Sequence, residues 1–166
     1  SAVLPKRGED GIRFHLLGGF EAHVRESGAS GDGRLVDGAV AYNRKGGTSF
    51  WSATEEGYEE WLMLDAGVAT GKEPVATWDI EGATVRQGDG ALEIAGADGV
   101  TKVRVTAPLA FAASGGTVPV WLSAHGSRIE RRDSPHPPRV PRSRMPGPPC
   151  GSHRHAESVA AGGVGA

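Results

Sequence analysis

The densest group of residues able to do chemistry runs from Trp51 to Trp61 and includes Glu55, Glu56, Glu59 and Glu60. Two indoles can stack on sugar rings, and two carboxyls held ~5–9 Å apart can cleave a glycosidic bond. Trp51, Trp61 and Trp121, with Glu60, are therefore the candidate ligand-binding residues. A plainer reading competes with this one and is preferred. The acids surround a solvated turn, and one tryptophan packs in the core. On a hairpin, moreover, Glu59 and Glu60 point to opposite faces, which weakens a picture of both acting together.

Other motifs carry less. Gly67-Val-Ala-Thr-Gly-Lys-Glu73 is one residue too short between its glycines for a phosphate-binding loop. Glu73 also stands where a Ser or Thr would hold Mg²⁺. Gly28-Ala-Ser-Gly-Asp-Gly33 is not a dinucleotide fingerprint, because no strand is read before it and no helix after it. Gly-x-Ser-x-Gly and His-Glu-x-x-His are absent from the sequence. Cys150, His153 and His155 fall within six residues, but a structural zinc site wants four ligands. His15, His23 and His125 are scattered, and His23 is read as solvated beside Glu21 and Arg25. The expectation is a protein with no catalytic residues, no metal and no cofactor.

A chain of 166 residues suffices for one domain and is too short for two with good cores. The 26 glycines and 11 prolines punctuate the chain too often for long helices. The net charge of −2 averages two unlike parts. Residues 1–130 hold 12 Lys/Arg against 18 Asp/Glu, or −6, whereas 131–166 hold six Arg against Asp133 and Glu157, or +4. The acidic body offers no footprint for specific nucleic-acid binding. The tail's arginines have no interleaved aromatics on which bases could stack. One cysteine allows no internal disulfide, and no apolar run reaches the ~18–20 residues of a membrane span. The start, Ser1-Ala-Val-Leu-Pro, has no signal-peptide pattern and reads as the inside of a longer chain or a processed product.

Period-two alternation recurs along residues 1–130. Phe20, Ala22 and Val24 alternate with Glu21, His23 and Arg25; Ala76, Trp78 and Ile80 with Thr77 and Asp79; Val103 and Val105 with Lys102, Arg104 and Thr106. Val118, Val120 and Leu122 form a further set. Half-buried antiparallel strands require this pattern, since successive side chains point to opposite faces. Asp-Gly pairs at 10–11, 32–33, 37–38, 89–90 and 98–99 supply tight-turn chemistry. Residues 83–106 read as a three-strand meander. Residues 50–64 read as a hairpin turning at Glu56-Gly57, with strands Phe50–Glu55 and Tyr58–Leu64. Pro119 places its strand at a sheet edge. The expected fold is all-β, an antiparallel β-sandwich or curled sheet of about nine short strands over residues 1–130.

Past Glu130 the alternation stops. Residues 131–166 contain seven of the 11 prolines and almost no large apolar side chain, and read as a disordered Arg/Pro/Gly-rich tail. The change comes in mid-strand, after Ser127-Arg-Ile-Glu130. A shifted reading frame in a GC-rich gene would produce such a tail, which resequencing the locus tests.

Several phrases carry a family resemblance. They are Leu4-Pro-Lys-Arg-Gly-Glu-Asp-Gly-Ile-Arg-Phe14, Gly19-Phe-Glu-Ala-His-Val-Arg-Glu26, Gly57-Tyr-Glu-Glu-Trp-Leu62 and Thr77-Trp-Asp-Ile-Glu-Gly-Ala-Thr-Val-Arg-Gln87. Val103-Arg-Val-Thr-Ala-Pro-Leu-Ala-Phe-Ala-Ala-Ser-Gly115 and Leu122-Ser-Ala-His-Gly-Ser-Arg-Ile-Glu130 complete the set. Residues 5–130 resemble the N-terminal, pre-propeller region of large secreted bacterial proteins that continue into kelch-type β-propeller repeats. The resemblance implies an extracellular or cell-surface β-domain whose partner is an adjacent propeller or another surface protein. No propeller repeats follow here, and no catalytic residue carries over. A carbohydrate-binding module with a glycan partner is the alternative, and a glycoside hydrolase the third reading.

Overall fold

The computed structural model describes residues 1–70, 73–106, 108–133 and 164–165. Among them the chain forms short antiparallel strands, three single turns of 3-10 helix and no α-helix. The first sheet has the order β1-β2-β3-β8-β15-β14. These strands are β1 (Ala2–Val3), β2 (Ile12–His15), β3 (Glu21–Glu26), β8 (Ala76–Glu81), β15 (Arg128–Asp133) and β14 (Val120–His125). The second has the order β4-β5-β6-β7-β16-β11-β10-β9. It comprises β4 (Ala29–Val36), β5 (Ala39–Arg44), β6 (Gly47–Thr54), β7 (Gly57–Leu64), β16 (Val164–Gly165), β11 (Thr101–Thr106), β10 (Ala91–Ala95) and β9 (Thr84–Gln87). A small ribbon pairs β12 (Ala110–Phe111) with β13 (Thr117–Val118).

The alternating sets fold as their pattern requires. Ala76, Trp78 and Ile80 are buried while Thr77 and Asp79 are half-buried. Ala22 and Val24 are buried between exposed Glu21 and Arg25. One core joins the two sheets: Ile12, Phe14, Val24, Trp78, Ile80 and Ile129 from the first meet Tyr42, Trp51, Leu92, Ile94 and Val103 from the second. Excluding water from these apolar faces is the main stabilising term, at ~25 cal/mol per Å² buried. The fold is therefore all-β, with two antiparallel sheets packed face to face.

Residues 83–106 form the expected meander, β9-β10-β11. Asp37-Gly38 closes the β4–β5 hairpin, with φ of 48° and 83°, the two positive values a type I′ turn needs. β14 lies at the edge of the first sheet, immediately after Pro119.

Three expectations are corrected. The described residues make 16 strands, more than the nine expected. The surplus includes two-residue strands too short to show a period, and β4, whose Gly31-Asp-Gly33 interrupts alternation at a register shift. The hairpin turn is Glu55-Glu56, because Thr54 pairs with Gly57. Last, β15 continues past Glu130 to Asp133, with Arg131 and Asp133 buried, so the folded unit reaches three residues beyond the expected boundary. Their bidentate ion pair (2.9 and 3.0 Å) lets a polar strand end stay in the fold. The expected tail from residue 134 on lies outside the described residues, apart from Val164–Gly165.

Candidate functional site

Trp51 and Glu60 are cross-strand partners on β6 and β7. Tyr58, Glu60 and Leu62 line the inter-sheet space, as does Trp51, which is only 8% exposed. The facing sheet contributes Phe14, Trp78, Ile80 and Leu122. Phe14 lies edge-on to Tyr58 at 5.3 Å and tilted against Trp51 at 6.3 Å, geometries that aromatic pairs favour. Between the sheets is a cavity of about 150 Å³. Ordinary small-molecule sites are larger, at ~300–1,000 Å³.

A guanidinium and a carboxyl reach this apolar space. Arg131 is held by Asp133. Glu60 has a backbone on the sheet and a carboxyl in the interior, with Oε1 buried and lacking a hydrogen-bond partner. Close by, Arg44 forms a buried ion pair with Glu26 through Nε and donates from Nη2 to the Val75 carbonyl at 2.7 Å. Burial pushes the Glu60 carboxyl well above the usual carboxylate range, and the Glu26 charge pushes the same way. Arg44 opposes them, but its guanidinium is already engaged by Glu26, so the net direction at Glu60 is upward. The indole N–H of Trp78 favours the charged form weakly and falls short of a full hydrogen bond.

Trp51 and Trp61 lie on opposite faces of the second sheet. Trp61 alternates with Glu60 and Leu62, faces outward opposite Phe50, and is 53% exposed; Met63, two residues on, is 60% exposed. Trp121 is half-buried on β14 in the first sheet, opposite in register to Leu122 and Ala124, which pack on the core. The three tryptophans therefore form no common platform, and the Glu60 carboxyl is turned away from Trp61. Glu55 and Glu56 are exposed at the hairpin tip, as the solvated-turn reading expects.

His23 departs from expectation. It is tied to the Asp10 carbonyl at 2.6 Å and to Glu81 at 3.2 Å, with its side chain only 19% exposed. Gly11 beside it leaves room for the ring, since a Cβ there would lie 2.7 Å from Nε2. Among the described residues no group of three His, Cys, Asp or Glu is placed to hold a metal ion. Cys150, His153 and His155 lie outside the described residues.

Glu26, Arg44 and Trp78 complete the buried cluster and were not among the sequence candidates. A signal for them exists. Glu26 follows Ala22 and Val24 on the inward side of β3, and Arg44 follows Tyr42 on β5. A charge that continues an apolar alternating set marks a buried charge. No family model, no curated protein and no solved structure matches the chain.

Proposed function

We propose that this chain is a non-catalytic structural and interaction domain of the bacterial cell exterior, built to stand against a β-propeller region. The observation that carries the interaction reading is the outer face of the second sheet. Trp61 and Met63 are more than half exposed there, on a sheet whose other face is already packed. Adjacent large apolar side chains left in water favour a covering surface. The resemblance of residues 5–130 supplies the location and the neighbouring propeller. Against acid–base catalysis stands the enclosure of Glu60, whose carboxyl is buried in a cavity of about 150 Å³ between the sheets.

Trp61 with Phe50 opposite it also favours a second reading, in which this face stacks on a glycan. Fluorescence titration with a panel of soluble polysaccharides separates the two. Emission shifts that vanish in Trp61→Ala establish glycan binding, whereas a silent panel leaves the protein-interaction reading. Glycoside hydrolysis lost on Glu60→Gln would overturn the non-catalytic assignment.

A further inference from the structure

Close-packed interiors leave few voids larger than a water molecule. The space between the two sheets is far larger, at about 150 Å³. An apolar cavity of ~150 Å³ takes up benzene, so the volume suits one monocyclic molecule. Rings from both sheets form its wall, Phe14 and Trp78 from the first, Trp51 and Tyr58 from the second. The lining extends from the deeply buried Ile80 to the half-buried Leu16, Leu62 and Leu122, and so reaches the rim of the sandwich.

The same wall carries two orphaned polar atoms. Trp78 is 8% exposed and its Nε1 has no hydrogen-bond partner; Glu60 Oε1 is likewise buried without one. The indole N–H reaches towards the carboxyl without completing a hydrogen bond. Buried polar groups are satisfied as a rule, so a donor and a carboxyl oxygen left over at one cavity point to a third group. A hydroxyl meets that demand. It accepts from the indole N–H, and it can donate to the carboxyl or accept from it. An anion does not fit, because the buried guanidiniums of Arg44 and Arg131 are already paired with Glu26 and Asp133.

We propose that the cavity between the sheets binds one small neutral aromatic molecule of phenol size, its ring among Phe14, Trp51 and Tyr58 and its hydroxyl at Trp78 and Glu60. This goes beyond the outer-face reading and does not depend on it. The apolar wall supplies affinity, and the two polar atoms select a ring that carries a hydroxyl over one that does not.

Saturation-transfer NMR titrations of the full chain with phenol, toluene and benzoate test the proposal. Phenol should saturate, toluene should bind about tenfold more weakly, and benzoate should not bind. No saturable phenol signal overturns the proposal and leaves the cavity to water. Equal affinity for phenol and toluene, or a preference for benzoate, overturns the hydroxyl assignment. These comparisons need no variant to fold. Trp78→Phe keeps a ring and removes the N–H, so it should abolish the preference for phenol over toluene. Leu122→Phe adds volume at a half-buried lining position and should weaken both ligands. Trp61→Ala should leave every affinity unchanged. Phenol binding lost in Trp61→Ala would put the ligand on the outer face and overturn the cavity site, so the two readings fail separately.

Discussion

Glu60 lies beside the buried Glu26–Arg44 ion pair inside the sandwich, and burial together with the Glu26 charge raises its carboxyl well above the usual range. It gives the domain a pH dependence located at one residue.

At low pH both the folded and the unfolded chain hold the Glu60 proton. As pH rises past the ordinary value of 4.5, the unfolded chain releases it while the folded chain keeps it. The folded state then binds more protons, so stability falls with rising pH until the raised pKa is passed. Glu60→Gln keeps the side chain's size and removes the titration. Urea midpoints measured from about pH 5 to about pH 8 should decline less in this variant than in the parent. Parallel curves would clear Glu60 of the effect.

Arg44→Met should be among the most damaging single changes. It leaves the Glu26 carboxylate buried without its partner, at a cost of ~3–5 kcal/mol. Adding Glu26→Leu should recover much of that loss, because the second charge is then gone as well. Denaturant unfolding of the two single variants and the double variant measures the coupling. A double variant no better than Arg44→Met alone would show that packing, and not charge, decides the site.

The strands carrying clean alternation were legible because one side chain in two had to leave water. Ala76-Thr-Trp-Asp-Ile80 is the plainest case, and the meander bracketed by Asp89-Gly90 and Asp98-Gly99 another. The hairpin holding Trp51 and Glu60 was legible too, and with it the separation of Glu59 from Glu60. What stayed hidden was the partner of each inward charge. Glu26 and Arg44 are 18 residues apart in sequence and meet only because β3 and β5 lie in different, facing sheets. A single sequence encodes which face a residue takes far more directly than which strand comes to cover it.

Trp51 and Trp61 should respond oppositely to truncation. Trp51→Ala removes a buried indole from contact with Phe14 and is expected to cost ~3–5 kcal/mol. Trp61→Ala should change stability by no more than ~0.5–1 kcal/mol, since its ring is largely in water. Paired denaturation curves check this, and comparable losses at the two sites would mean that the outer face is covered.

Gly47 and Gly38 separate backbone strain from collision. A Cβ on Gly47 would lie 2.0 Å from the Met63 carbonyl oxygen, at a φ of 149°, whereas Gly38 (φ 83°) has open space around it. Gly38→Ala should cost ~1–2 kcal/mol from the left-handed conformation alone. Gly47→Ala must also push β6 away from β7, so a loss of ~3 kcal/mol or more is expected. Equal losses would place Gly47 farther from β7 than the register requires.

The end of β15 supplies a last test of where the fold stops. Arg131 pairs in register with Ala76, accepts the Val75 amide at its carbonyl (2.8 Å), and lies buried against Asp133. A chain ended after Glu130 loses that pairing and the ion pair, and opens the inter-sheet cavity at the wall Arg131 provides. A chain ended after Asp133 loses neither, and both shortened chains lack β16 equally. The longer fragment should therefore unfold at a distinctly higher urea concentration, by the equivalent of ~2–4 kcal/mol for several buried polar contacts. Coincident curves would mean that the fold closes without its last three residues, and that the buried Arg131–Asp133 pair contributes nothing net.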